Sequence, residues 1–569
     1  MNPTLESLDW LVLGGYFAIL IGIAWWVILQ KNRTTEDYFL AGRNVGWFVI
    51  GASIFASNIG SEHVVGLAGT GAESGMPLAH YELHAWIVLL LGWIFLPFYM
   101  RSGAFTMPEF LEKRYDSRSR WFLSLFSIAA YVLTKVSVTI YAGGIVVSSL
   151  VGTELVNSGL GQAFINTFGL SESSNPAFWL SSFIIVLVTG LYTILGGMRA
   201  VVYTEAFQTI VLLLGSTVIT ILGLQQVGGW NELKATAGSS HFNMWRPASD
   251  PDFPWTGLLF GGTIVGIWYW CTDQYIVQRT LAAQNIKIGR RGAIFGAYLK
   301  LAPIFIFLIP GIIAFALRKK GIIQYERSDE VFPTLVRYLL PAGLKGLVAG
   351  GLMAALMSSL ASVFNSASTL FTVDIFKKLN PDAPERRLVN TGRIATAVIV
   401  VLGMLWIPIM QEIGGGVLYQ YLQNIQAYIA PPITAVFVLG IFWKRINGLG
   451  AIATLLFGLL AATARIIAEL FYRDSSGAIS ADASGLFADF ARINFSHMAI
   501  FMFIACVLIC SVVSLLTRPP DFEKIKGLTF GTLTAEQKAE ARSSYTTADI
   551  IVSVILVAIV IGILIYFRG

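Results

Sequence analysis

Charge is scarce in this 569-residue chain, with Asp, Glu, Lys and Arg making up 13% of it. Soluble domains carry about 25%, so an ordinary water-facing surface is excluded. Cysteine is scarcer still: Cys271, Cys506 and Cys510 are the three in the sequence, too few and too apolar in context for a disulfide framework. They identify neither an oxidising nor a reducing compartment. Cys506 and Cys510 share a helix face, but no His or further Cys stands near them to complete a metal-ligand set. The five histidines, His63, His80, His84, His241 and His497, contain one i,i+4 pair, His80 and His84, without a matching pair elsewhere, which argues against haem ligation in a membrane redox enzyme. The roughly ten-residue alternating segments of a β-barrel are missing. The first apolar segment has no small-residue cleavage site after it and Glu6 and Asp9 before it, in place of a basic start. It is expected to stay as a signal anchor.

Apolar residues are abundant, at 55% of the chain with a mean hydropathy of +0.69. An all-α polytopic membrane protein follows. At ~20 residues per crossing there is room for about fourteen transmembrane helices. The first six begin near Leu8, Phe48, Trp86, Phe122, Trp179 and Val201, and the remainder near Trp255, Gly292, Leu347, Ile394, Val417, Gly450, Met498 and Ile550. Basic residues Arg101, Lys113, Arg114, Arg118 and Arg120 follow the third span, whereas 151–178 has no Lys or Arg. The former set is therefore expected in the cytoplasm. Lys377, Lys378, Arg386, Arg387 and Arg393 agree, as do Arg518, Lys524, Lys526, Lys538 and Arg542, and both termini come out external. Arg318, Lys319 and Lys320 are an exception. The net charge of +6 reflects this topology and is no reason to expect nucleic acid. Segment 518–547, opened by Pro519-Pro520, reads as a solvated linker. Asn494-Phe495-Ser496 matches a glycosylation acceptor. Most of the 55 glycines suit close helix packing.

Two apolar segments are interrupted midway, at Ala56-Ser57-Asn58-Ile59-Gly60-Ser61-Glu62-His63 and at Trp268-Tyr269-Trp270-Cys271-Thr272-Asp273. Backbone groups released at bilayer depth must face protein, water or a bound ion. A pair of broken helices in corresponding halves points to a secondary transporter. Ionisable residues inside spans reinforce this, since each costs on the order of 3 kcal/mol unless paired or hydrated. They are Glu82, Lys135, Glu205, Asp273 and Lys300. Asn58, Glu82, Lys300 and Gln423 supply the donors and acceptors that a polyhydroxylated ligand requires, and Trp268, Tyr269 and Trp270 a flat apolar face. Ser358, Ser359 and Ser362 offer hydroxyls suited to a hard monovalent cation.

The chain resembles the sodium/solute symporter family, in its sodium/glucose cotransporter branch, over nearly its whole length. The resemblance rests on Arg33-Thr34-Thr35 with Tyr38-Phe39-Leu40-Ala41-Gly42-Arg43, on the run from Gly51 to Gly60, on Trp268-Tyr269-Trp270-Cys271-Thr272-Asp273-Gln274, and on Ser358-Ser359 through Asn365-Ser366-Ala367-Ser368-Thr369. It implies a five-plus-five inverted repeat of the leucine-transporter type, with one helix before and three after. The single membrane domain, 1–569, would then divide into an extra helix at about 8–29, repeats at about 47–227 and 255–441, and C-terminal helices at about 448–567.

By the same resemblance Asn58, His63, Glu82, Lys300 and Gln423 fall on sugar-binding positions, with Tyr269 at the inner gate and Trp270 beside it. Ala56, Ile59 and Ala355 would offer carbonyls, and Ser358 and Ser359 hydroxyls, to a sodium ion. A second sodium site would involve Glu205 and Ser362, but this chain departs from the two-sodium pattern with Glu205 for Asp and Ala361 for Thr. Glu62, Thr139 and Gln426 are further departures. The implied activity is no enzyme reaction but sodium-coupled hexose uptake by alternating access in the cell membrane, with Na+ the co-transported ion and the bilayer the only other partner implied. A sodium/myo-inositol or other polyol carrier, or a sugar sensor with little flux, uses the same groups.

Overall fold

The computed structural model describes residues 5–30, 34–171, 175–413, 418–472, 479–480, 482 and 484–568, without the side chains of 61–62, 133–134, 149, 329, 406–413 and 418–422. Arg33, the expected span start at Val417 and the side chain of Glu62 lie outside this description. The described chain is almost wholly helical, and its β-pairing consists of two isolated bridges, Val45 with Ala283 and Asn243 with Arg568. Among the described residues, ten helices are long and apolar enough to cross a membrane, or up to twelve if each of two bent pairs is one span. The other thirteen expected starts lie in helices, two of them, Trp179 and Val201, within the single 52-residue helix Pro176–Val227.

Burial sorts these helices into a core and a periphery. In Leu344–Leu379, 94% of the most apolar stretch is buried, against 28% in Ser7–Leu29 and Phe495–Leu516 and 22% in Thr547–Tyr566. The central helix is accordingly rich in small side chains, from Gly350 and Gly351 to Ser358, Ser359 and Ser362, which allow close approach on every side. Pro176–Val227 lies along it, and Trp47–Asn58 packs on Ile286–Leu299. The peripheral helices expose Leu, Ile, Val and Phe, as lipid-facing surfaces do.

Glycine permits two contacts that no other residue would. Within Pro176–Val227, Gly197 has φ 59° and ψ −155°, and a Cβ there would lie 2.5 Å from the Tyr38 carbonyl. The resulting kink divides the long helix. Gly71 and Gly311 face each other's helices so closely that a Cβ would lie 2.4 Å from Leu308 O and 2.1 Å from Ala68 O, respectively. This contact seats the distal half of the first broken helix, Ser61–Glu73, against Ile309–Lys319.

Gly311→Ala is expected to lower thermal stability by about 1–3 kcal/mol through overpacking. Gly14→Ala, where no atom lies within 4 Å, should leave the melting temperature unchanged. Equal melting temperatures for the two variants would contradict the close approach.

Candidate functional site

The first broken helix ends at Asn58, Ile59 turns to φ −86°, ψ 98°, Gly60 is extended at φ −102°, ψ −177°, and the chain resumes as Ser61–Glu73 bent by 59°. Carbonyls in the last turn of a helix lack intrahelical partners. Side chains from elsewhere meet them: Ser358 donates to Ala56 O, Ser359 donates to Ser57 O at 3.1 Å, and the Tyr275 hydroxyl also donates to Ser57 O. The structure thus joins Ala56 with Ser358 and sets Ser359 beside them. Ile59 and Ala355, the other two expected sodium ligands, are buried on the same two helices. Hydroxyl and carbonyl oxygens are the donor types that a hard monovalent cation takes.

The second break is at Asp273. Residues Trp268–Thr272 form a π-helical turn, Asp273 is extended, and its carboxylate caps Gln274–Leu281 by accepting from Tyr275 N at 3.2 Å. π-Turns concentrate at functional positions. A second one, Tyr131–Val136, brings Lys135 Nζ to 2.5 Å from Asp273 Oδ2, while Tyr131 donates to Oδ1. The Lys135 ammonium also lies 4.1 Å from the centre of the Tyr275 ring and 4.7 Å from that of Tyr269, within cation–π range.

A central cavity opens between the two breaks, lined by residues from both. All seven expected substrate residues, Asn58, His63, Glu82, Tyr269, Trp270, Lys300 and Gln423, line it. Lys300 follows directly on Ile286–Leu299, and its Nζ reaches Glu82 Oε2 at 2.5 Å and Asn58 Oδ1 at 3.0 Å. Asn58 Nδ2 donates to the Tyr269 hydroxyl at 3.3 Å. His63 Nε2 is 4.0 Å from Glu82 Oε1, and Lys300 Nζ stands 5.4 Å from the Trp270 ring centre. The charged pair survives burial because each member has an opposite charge or hydrogen-bond partner. A wall of donors and acceptors beside two aromatic faces is complementary to a ring bearing hydroxyls.

Glu205 and Ser362 also meet, but not alone. Arg279, which the sequence analysis did not single out, donates to Ser362 Oγ and lies 3.1 Å from Glu205 Oε1. Ser362 and Ser53 donate to the same carboxylate. Both ends of the ion pair are buried, at 1% and 0% side-chain exposure. A signal was present, since Arg279 follows the second break by less than two helical turns. Tyr275, which donates to Ser57, and Tyr131 were missed as well, because aromatic residues in apolar spans read as packing.

These features coincide with likenesses to known proteins. The model of the sodium:solute symporter family matches residues 38–167 and 161–458. Sodium/glucose cotransporter 1 of Ovis aries is 37% identical over 542 residues, covering 89% of this chain and 78% of that protein. The sodium/myo-inositol cotransporter of Homo sapiens is 36% identical over 572 residues, covering 93% and 76%. A solved structure of a Na+-coupled sialic acid symporter, substrate-bound and outward-open, aligns with a TM-score of 0.70 at 22% identity over 91% of this chain and 99% of that one. The fold is of the leucine-transporter type. The chain belongs to the sodium:solute symporter family, and it is a multi-pass membrane carrier that couples solute movement to sodium, not an enzyme.

Proposed function

We propose that the protein takes up a hexose of the glucose or galactose type together with one sodium ion per cycle. The observation that carries the sugar reading is the Glu82, Lys300, Asn58 and Tyr269 chain of polar contacts beside Trp270, all lining the central cavity. Gln423 extends the polar wall and His63 adds a titratable group next to Glu82. A second reading, a polyol such as myo-inositol, draws support from relatives of near-equal identity that carry that name. Both ligands are rings bearing hydroxyls.

The cation reading assigns sodium, as co-transported substrate, to the carbonyls of Ala56, Ile59 and Ala355 and the hydroxyls of Ser358 and Ser359. A cation there would tie the unwound end of Trp47–Asn58 to the Leu344–Thr369 helix. That linkage orders Asn58, one residue before the unwound turn, and sodium binding and sugar binding then strengthen each other reciprocally. Each charge crossing ~100 mV releases ~2.3 kcal/mol, roughly a 50-fold solute gradient. The candidate second site is a poor one for another cation, because Arg279 already neutralises Glu205 and engages Ser362. A sodium ion added there would face a guanidinium in a medium of low dielectric constant. The two repeats at about 47–227 and 255–441 would move against each other around these sites.

In proteoliposomes, labelled glucose and galactose should enter saturably when a sodium gradient points inward and fail to accumulate without it, with myo-inositol the weaker competitor. Stronger competition by myo-inositol, or sodium-driven uptake of it alone, would transfer the assignment to polyols. Ser359→Ala should raise the sodium needed for half-maximal uptake about 5-fold, the equivalent of one hydrogen bond; an unaltered sodium dependence would remove Ser359 from the site. Simultaneous measurement of charge and sugar should return one elementary charge per sugar. Two charges would overturn the part given to Arg279.

A further inference from the structure

Sharing no lining residue with the central cavity, a groove opens between the start of Gly448–Tyr472 and the end of Phe495–Leu516. Both helices are long and apolar enough to cross a membrane, so the groove lies where apolar spans give way to polar chain. That is the headgroup level. Its walls carry four cations, Arg114, Arg118, Arg518 and Lys524, against two carboxylates, Asp116 and Asp521. Two helices of 14 and 25 residues also begin here, after Asp116 and Asn447, and direct the positive ends of their dipoles to it.

Arg114 is the unusual member. It is 1% exposed, and its bonds run to carbonyls only, from Nε to Gly440 O at 2.7 Å and from one terminal nitrogen to Trp443 O at 3.1 Å. The other terminal nitrogen is buried without a hydrogen-bond partner among the described residues. Burial pushes the pKa of this guanidinium below its ordinary value. A buried charge without a carboxylate is costly and is normally paired. Of the remaining cations, Arg118 holds Asp116 at 2.8 Å and Lys524 Nζ donates to the Tyr115 carbonyl at 2.5 Å. Arg518 is exposed, and its side chain makes no hydrogen bond or ion pair among the described residues. The floor of the groove therefore holds positive charge in excess of what the protein itself neutralises.

Apolar surface adjoins this charge. Leu449 is 44% and Leu516 81% exposed at the ends of the two spans, beside Pro519 and Pro520 on the groove wall. A soluble anion would leave these side chains uncovered, whereas an acyl chain covers them. We infer that the groove binds the headgroup of an anionic phospholipid, its phosphodiester facing Arg118 and Arg518 over the buried Arg114 charge and its acyl chains lying on Leu449 and Leu516. The basic residues put this face in the cytoplasm, where the leaflet is anionic, and basic pockets between membrane helices are the usual form of such sites. The 518–547 segment then has a role that its composition alone did not disclose: its first residues close one side of a lipid site and fix the linker to the membrane.

The test uses the full chain extracted from bilayers of equal parts phosphatidylcholine and phosphatidylglycerol. Retained lipid is read by native mass spectrometry, and the melting temperature is followed during titration with each lipid and with inorganic phosphate. Phosphatidylglycerol should be retained selectively and raise the melting temperature, and phosphate at equal concentration should not. The Arg118→Gln/Arg518→Gln variant should bind phosphatidylglycerol roughly 30-fold more weakly, about 5-fold per charge removed, whereas Arg118→Lys/Arg518→Lys should keep most of the affinity. Equal retention of the two lipids, or unchanged affinity in the Gln variant, would overturn the inference. A melting shift from phosphate as large as that from lipid would also overturn it, by making the groove a site for a soluble anion.

Discussion

The carbonyls released at the first helix break govern the interior of this protein. Ala56 O and Ser57 O cannot be met by their own helix, and no water of the bilayer core is available to them. Ser358, Ser359 and Tyr275 meet them instead. Three helices consequently converge on one turn of backbone. The small residues of Leu344–Thr369 allow that approach, and the extended Gly60 directs His63 and the rest of Ser61–Glu73 toward the cavity. If the Trp47–Asn58 helix ran on unbroken, its carbonyls would be satisfied internally, and neither the tie to Ser358 nor the polar end at Asn58 would exist.

Buried charge follows a related rule. Lys300 with Glu82, Lys135 with Asp273, and Arg279 with Glu205 are three ion pairs within spans, and each bridges residues distant in the sequence. Breaking a buried pair costs far more than exchanging it whole, so the pairs hold helix register. They differ in surroundings. Lys300 and Glu82 border an open cavity with aromatic faces, and a ligand can share their hydrogen bonds. Arg279 and Glu205 are enclosed by Ser53 and Ser362, whose hydroxyls both donate to the carboxylate.

The periphery obeys the bilayer rather than the site. Ser7–Leu29, Phe495–Leu516 and Thr547–Tyr566 leave most of their apolar stretches unburied, and single polar contacts tie them to the core. Asp9 accepts from the backbone of Gly343 and Gly346 at 2.7 Å each, and so caps the start of the central helix from a peripheral one. Arg291 meets Asp549 at 2.8 Å and fastens the last helix.

The sequence by itself determined the helical membrane class, the two interruptions and the residues most costly to bury, because scarcity of charge, span length and mid-span polarity are local properties that bilayer energetics makes conspicuous. Asn58, Glu82, Tyr269, Trp270, Lys300 and Gln423 were legible in this way, aided by a family resemblance that no periodicity could have supplied. Only the tertiary structure decided which charges met. The sequence left Glu205 and Ser362 as a doubtful second cation site, and the structure adds Arg279, from a different helix, in contact with both. Likewise Tyr275 and Tyr131 became polar anchors through hydroxyls aimed at Ser57 and Asp273, and the groove at Arg114 formed from segments more than three hundred residues apart. Pairing depends on three-dimensional proximity, and an ion pair carries no mark in either partner's local sequence.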